Sequence, residues 1–213
     1  MRPDRPGAQE WVPETPRIED LYAAAQACRG CELYRDTTQA VLGSGPPEAR
    51  LVLVGEQPGD VEDREGEPFV GPAGRLLDRA LADAGIDRGS AYLTNAVKHF
   101  AHHLVGRRRI HDTPKAGQVT ACAPWLHVEL ELVRPSGVVL LGATAAKAVH
   151  GPSFRLTEQR GRRLEWPERY PLTSTPEWTL VTIHPSAVLR SEDRDTAYDG
   201  LVADLRVAAS LGR

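Results

Sequence analysis

The stretch Leu51-Val52-Leu53-Val54-Gly55-Glu56-Gln57-Pro58-Gly59-Asp60 decides how the chain is read. An apolar, β-branched run gives way to a glycine, two polar side chains and a Pro-Gly pair. Leu51 to Val54 therefore reads as a buried strand. Pro58-Gly59 reads as a sharp turn that aims backbone N–H groups, Glu56 and Gln57 into one space. A second stretch is built the same way, with Leu180 to Ile183 running into His184-Pro185-Ser186. Parallel strands ending like this bring polar groups to a common sheet edge, where open α/β proteins bind ligands. A carboxylate and an imidazole delivered there separately suit a site that manages charge at a reacting carbon. Taken singly, each string reads equally as a strand end with solvated side chains.

Outward from these strings, strand and helix alternate. Ile18, Leu21, Tyr22, Ala25 and Cys28 share one helical stripe. Gly74 to Ala84 is a helix stopped by Gly85, and Ala91 to Val97 is a second strand. A polar, basic loop from Lys98 to Lys115 precedes a helix on which Val119, Cys122, Ala123, Leu126, Leu130 and Val133 share a face. Gly137 to Leu141 is a third strand, and Gly142 opens a short Ala-rich helix. Residues 151–178 read as a short β excursion plus loop, and Tyr198, Leu201, Leu205 and Ala208 mark a closing helix. The expected architecture is α/β, a three-layer αβα sandwich around a central four-stranded parallel sheet. Residues 1–17, rich in Pro and charge, are expected to be a mobile arm before a single domain over 18–213.

With 213 residues, 41% of them hydrophobic, the chain can bury one sizeable core. It has no apolar run near the ~18 residues of a membrane span and no signal peptide, so a cytoplasmic protein without a membrane partner is expected; a bacterial, monomeric protein is a separate expectation. The net charge of -3 is unpromising for nucleic acid, yet the basic residues are segregated. Arg107-Arg108-Arg109 and Arg160, Arg162 and Arg163 form compact clusters suited to phosphate. Three cysteines cannot pair completely, which favours metal or core roles over a disulfide.

Several residues have both a bland and a functional reading. Phe69, in Glu67-Pro68-Phe69-Val70-Gly71-Pro72, is either core or a rigidly held stacking platform for a base. Asn95 either caps a strand or offers a pyrimidine edge a donor and an acceptor side by side. His184 is either structural or a hydrogen-bond partner for an anionic leaving group. Val188 and Leu189 have the character of a wedge entering the base stack. Cys28-x-x-Cys31 and Cys122 are either loop and core thiols or metal ligands. Arg107 to His111 reads from spacing alone as a solvated basic loop.

Taken together, G-E-x-P-G, P-F-V-G, a strand-ending Asn and H-P-S resemble the iron–sulfur uracil-DNA glycosylases known as family four, over roughly Ile18 to the C-terminus. The resemblance implies that Gly55, Gln57, Asp60, Phe69, Asn95 and Ser186 line a uracil pocket. It implies a sugar-facing Glu56 and a His184 that stabilises the departing base. It also implies a [4Fe–4S] cluster held by Cys28, Cys31 and Cys122, with His99 where the family has a further cysteine. Zinc on Cys3His is the chemical competitor, and His102 and His103 are alternative fourth ligands.

The Cys-to-His departure, Gln57, and Arg107-Arg108-Arg109-Ile110-His111 are similar to the UdgX branch, whose members become covalently attached to uracil-containing DNA. For this chain the likeness implies that His111 bonds to the deoxyribose C1′ and that Arg109 holds the loop. Arg107, Arg108, Val188 and Leu189 would contact DNA, expected to be single-stranded. A conventional glycosylase that turns over, and a non-enzymatic binder of uracil or abasic DNA, are the alternatives.

Overall fold

The computed structural model describes residues 5–14 and 17–212. In chain order, helix α1 (Ile18–Gln26) is followed by strand β1 (Leu51–Gly55), helices α2 (Asp60–Glu65) and α3 (Pro72–Ala84), and strand β2 (Ala91–Asn95). Strands β3 (His102–Val105) and β4 (Arg108–His111) come next, then helix α4 (Ala116–Val133), strand β5 (Gly137–Leu141) and helix α5 (Ala143–His150). Helix α6 (Leu156–Gln159), strands β6 (Arg163–Leu164) and β7 (Trp178–Thr182), and helices α7 (Pro185–Arg190) and α8 (Arg194–Leu211) complete the chain.

Strands β1, β2, β5 and β7 form the expected parallel sheet, in the order β2-β1-β5-β7. β6 adds a fifth, antiparallel edge strand beside β7, so the sheet is mixed. That strand is two residues long, too short to leave a periodic signal in the excursion over 151–178. The inner strands are apolar on both faces because helices cover both. Leu53, Leu93, Val139 and Leu180 pack against α3, α7 and α8. Val52, Val54, Val138, Leu140 and Val181 pack against α4 and α5.

Two expectations are corrected. The stretch 98–115 is no plain loop, because β3 and β4 pair antiparallel as a hairpin, with His102 opposite His111 and Val105 opposite Arg108. Part of the N-terminal arm is docked: Gly7 N–H donates to Gly30 O, Ala8 N–H donates to Ala121 O, and Ala8 is buried against α4. Residues 1–4, 15 and 16 of that arm lie outside the described residues. Among the described residues, no helix is long and apolar enough to cross a membrane.

The chain leaves β1 toward β2 on one side, and β5 pairs on the other. The carboxyl ends of β1 and β5 therefore flank a topological switch point, the crevice where such sheets present ligand-binding loops.

Candidate active site

At that crevice a cleft of about 390 Å³ is lined by Gln57, Asp60, Phe69, Asn95, His111, His184, Ser186 and Leu189, among others. Residues 127 positions apart in sequence, from Gln57 to His184, meet there because β1, β2 and β7 end on one edge.

Gly55 makes room for the two groups suited to hold a base. A Cβ at this position would lie 2.4 Å from Asn95 Oδ1 and 2.6 Å from the Phe69 ring. Both side chains thus rest against the bare backbone at the end of β1. Phe69 sits at φ +60°, a conformation costly for a residue with a side chain, and is nearly buried. Gly74 permits that turn, since a Cβ there would collide with the Phe69 carbonyl. The ring is therefore placed by backbone, and its centroid lies 6.3 Å from that of His184.

The protonation of His184 follows from its neighbours. Ser186 N–H donates to His184 Nδ1 at 3.2 Å, and Ser186 Oγ lies 2.8 Å from the same nitrogen. Nδ1 is thus an acceptor, and the neutral ring carries its proton on Nε2. Burial, with the charges of His111 and Arg190, lowers the His184 pKa from the ordinary 6.5 to about 4. At neutral pH the ring is an uncharged Nε2–H donor.

Glu56 follows β1 and receives a hydrogen bond from Thr144 Oγ1, at the start of α5. Its other oxygen lies 3.5 Å from His111 Nε2. The carboxylate thus spans the switch point, anchored on one side and facing an imidazole on the other. Sequence reasoning missed Thr144; its signal was a hydroxyl two residues after Gly142, the glycine between β5 and α5.

The hairpin that carries His111 is fastened at two places. Gln57 Nε2 donates to Ala101 O at 3.1 Å and Asp112 O at 3.0 Å, while Gln57 Oε1 accepts from Ala101 N–H at 2.9 Å. Its amide clamps the hairpin base, while the side chain also borders the cleft. Arg109 donates to Asp60 Oδ1 at 2.5 Å and to Asp63 Oδ2 at 2.6 Å, and its guanidinium lies 5.5 Å from the Phe100 ring centroid. Asp60 is therefore occupied by Arg109, and the fully buried Asp63 is a partner the sequence did not suggest. Arg109 thus ties β4 to the two carboxylates of α2.

Other residues divide. Leu189 borders the cleft, but Val188 is 2% exposed and packs into the core behind α7, so it is not available as a wedge. The phase of the short helix turns Leu189 outward and Val188 inward. Arg107 and Arg108 are exposed at the hairpin tip.

Behind the cleft lies a buried ionic network that the sequence did not reveal. Lys98 Nζ donates to Asn95 O at 2.6 Å, to Thr94 Oγ1 at 2.7 Å and to Glu129 Oε2 at 2.5 Å. Glu129 also accepts from Gly43 N–H, Tyr92 OH and Thr94 Oγ1. The pair is almost wholly shielded from water, yet each charge has several partners. It supports the backbone of Asn95 from below.

Cys28, Cys31 and Cys122 are all buried and reduced. Cys28 Sγ accepts hydrogen bonds from Gly30 N–H at 3.4 Å and Trp125 Nε1–H at 3.3 Å, and Cys122 Sγ accepts from Lys98 N–H at 3.2 Å. Burial pushes the Cys122 thiol up to about 12 and holds His99, also buried, down at about 4. Among the described residues, no three His, Cys, Asp or Glu side chains converge on a position for a single metal ion. His102 stacks on Phe100, and His103 contacts Asp112 across the hairpin base.

Comparison with known proteins gives the family. Residues 42–206 match the family described as the uracil DNA glycosylase superfamily. The type-4 uracil-DNA glycosylase of Thermotoga maritima is 35% identical over 84% of this chain and 86% of its own length. Those of Sulfurisphaera tokodaii and Pyrobaculum aerophilum are 32% and 33% identical, each over 81% of this chain and over 76% and 85% of their own lengths. This chain belongs to the uracil-DNA glycosylase superfamily.

Proposed function

We propose that the protein excises uracil from DNA by cleaving the N-glycosidic bond. The observation that carries this reading is the neutral His184, fixed as an Nε2–H donor in the same cleft as Phe69 and Asn95. An extruded pyrimidine would stack on Phe69 while the Asn95 amide meets its edge. As the C1′–N1 bond breaks, its electron pair leaves with the base, and His184 Nε2–H donates to the developing anion. Glu56, at the end of β1 beside His111, stabilises the positive charge that develops at C1′. Single-stranded DNA is the favoured substrate, because extruding its base costs no unpairing and only one of the two wedge candidates, Leu189, reaches the cleft.

A finer reading has one specific observation in its favour. His111 is half-exposed on a hairpin fastened by Gln57 and Arg109, with Nε2 3.5 Å from the carboxylate assigned to the sugar cation. An imidazole within reach of Glu56 is within reach of the atom that Glu56 stabilises. One ring nitrogen donates its lone pair to C1′, and the resulting imidazolium releases its other N–H proton to solvent. The product is a glycosyl-imidazole without a C1′ hydroxyl, so it cannot open to the aldehyde of an ordinary abasic site.

The buried sulfurs are the proposed ligands of a [4Fe–4S] cluster. Three N–H groups already point at Cys28 and Cys122 sulfurs, and thiolates in so apolar a place need a cationic partner. Cys28, Cys31, Cys122 and neutral His99 would hold it. Zinc needs four donors gathered about one ion, whereas a cubane takes its ligands at separate corners. Such a group would act here as a structural staple between the α1 loop, the segment after β2, and α4.

The test is a denaturing gel of protein incubated with a single-stranded oligonucleotide containing one deoxyuridine. A slow-migrating band that disappears in His111→Ser, with abasic product in its place, supports both readings. Abasic product from the wild type with no slow band supports glycosylase activity without capture. An intact oligonucleotide refutes both.

A further inference from the structure

Three large hydrophobic side chains are exposed among the described residues, and two of them are neighbours: Leu104 at 65% and Val105 at 58%. The third, Tyr22, engages Gln39 through its hydroxyl and lies elsewhere. Leu104 and Val105 end β3, and Gly106 and Arg107 form the turn into β4. The cross-strand register puts Leu104 opposite Arg109 on one face and Val105 opposite Arg108 on the other. The tip thus carries one aliphatic side chain on each face, next to Arg107 and Arg108.

Nothing inside the protein requires this composition, because the hairpin is held at its base by Gln57 and midway by Arg109. Two adjacent exposed aliphatics on a projecting turn bury nothing in the free protein. Two exposed guanidinium groups beside them favour a polyanion with apolar surfaces between its charges, a description that single-stranded DNA meets. The tip is also continuous with the cleft. Leu104 and Val105 stand two and three residues beyond His102, the partner of His111, or about 7 to 10 Å along the strand. Stacked nucleotides rise by about 3.4 Å each, so that span equals two to three nucleotides.

We propose that the hairpin tip is a second DNA contact, in which Leu104, on the hairpin face that carries His111, bears on a base two to three nucleotides from the uracil with Val105 at the turn beside it, while Arg107 and Arg108 take the adjoining phosphates. The inference rests on uracil excision as the chemistry of the cleft. It assigns the apolar contact to the hairpin, in place of the buried Val188. The contact would set how long a substrate must be, leaving the chemical step to the cleft.

The experiment separates the two readings. Intact protein is titrated with single-stranded oligonucleotides that carry a tetrahydrofuran abasic analogue and a 2-aminopurine at each of the three positions on either side. The wild type is expected to raise 2-aminopurine fluorescence two or three nucleotides from the analogue. In Leu104→Ser/Val105→Ser that rise should vanish and affinity should fall about tenfold. Uracil release from a deoxyuridine dinucleotide, too short to reach the tip, should be unchanged in the same variant, whose melting temperature should also stay put because both side chains face water. Equal affinity and fluorescence in variant and wild type would overturn the proposal, as would a double substitution that alters self-association in place of DNA binding. Failure of the wild type to release uracil from any substrate would instead overturn the excision reading.

Discussion

Replacing Arg109 by alanine tests how the His111 hairpin is held. The Arg109 side chain is 14% exposed and bridges Asp60, which is 37% exposed, and Asp63, which is wholly buried. A surface pair such as the first is worth about 0–1 kcal/mol. A charge-assisted hydrogen bond to a buried carboxylate is worth about 1.5–3 kcal/mol. Asp63 keeps the Thr38 N–H, at 3.0 and 3.1 Å from its two oxygens, which moderates the loss. The expected cost is about 2 kcal/mol, which shifts the docking equilibrium of the hairpin about 30-fold. A two-stranded hairpin is marginal by itself, so the loss should appear as local opening. Trypsin cutting after Arg107 and Arg108 should therefore quicken at least about tenfold, and amides of residues 102–111 should exchange faster. Adduct yield should fall while uracil release persists, because the cleft residues of β2 and α7 are not touched by the change. Arg109→Lys should recover only part of the loss, since an ammonium cannot fork between two carboxylates. If cleavage, exchange and adduct yield in Arg109→Ala matched the wild type, the hairpin would be held by something else.

Gly55→Ala should depress uracil release at least about 100-fold, because its Cβ would displace both Asn95 and Phe69, while binding to abasic DNA should survive; steady-state release with a binding control checks this. The Glu129→Gln variant should melt about 10 °C lower by calorimetry, since it leaves the Lys98 ammonium buried without its counter-charge at a cost of about 3–5 kcal/mol. Uracil release should show no titration of His184 between pH 9 and pH 5, because its folded pKa of about 4 keeps the ring neutral. The unfolded ring protonates near 6.5, so the stability contributed by the neutral form is complete above that pH and is lost as pH falls toward about 4. A rate profile that falls away with a midpoint near 6.5 would contradict the Nε2–H donor role.

The legible parts of the chain are those whose signals are local. A β-branched run that breaks at Gly55-Glu56 or at His184-Pro185 announces both a strand and the edge it ends on, so the sheet core and most of the cleft residues follow from sequence. Strand β2 ends at Asn95, two residues before the apolar run does, because Ala96 and Val97 N–H bond to Gly55 and Glu56 O as the chain turns away. The hairpin was hidden for a different reason. His102 to His111 carries no apolar face toward the core, and its pairing is stabilised by Gln57, Asp60 and Asp63, whose partners Ala101 and Arg109 lie 44 to 49 residues later. Gln57 and Asp60 were assigned to the pocket because their position in the turn was visible, but the carbonyls and guanidinium that occupy them were not. The Lys98–Glu129 pair was invisible because a lone charge in an apolar stretch does not disclose its partner. Val188 and Leu189 were assigned alike, although the phase of α7 buries Val188 and leaves Leu189 at the border of the cleft.

The central claim is that the cleft releases uracil and that His111 then takes the sugar carbon before water does. Counting free uracil per protein molecule, with deoxyuridine-containing single-stranded DNA in large excess, tests it most directly. The account predicts a rapid release of about one equivalent and then arrest in the wild type, with continued turnover in His111→Ser. Turnover well past one equivalent in the wild type would contradict capture, and no release at all would contradict excision.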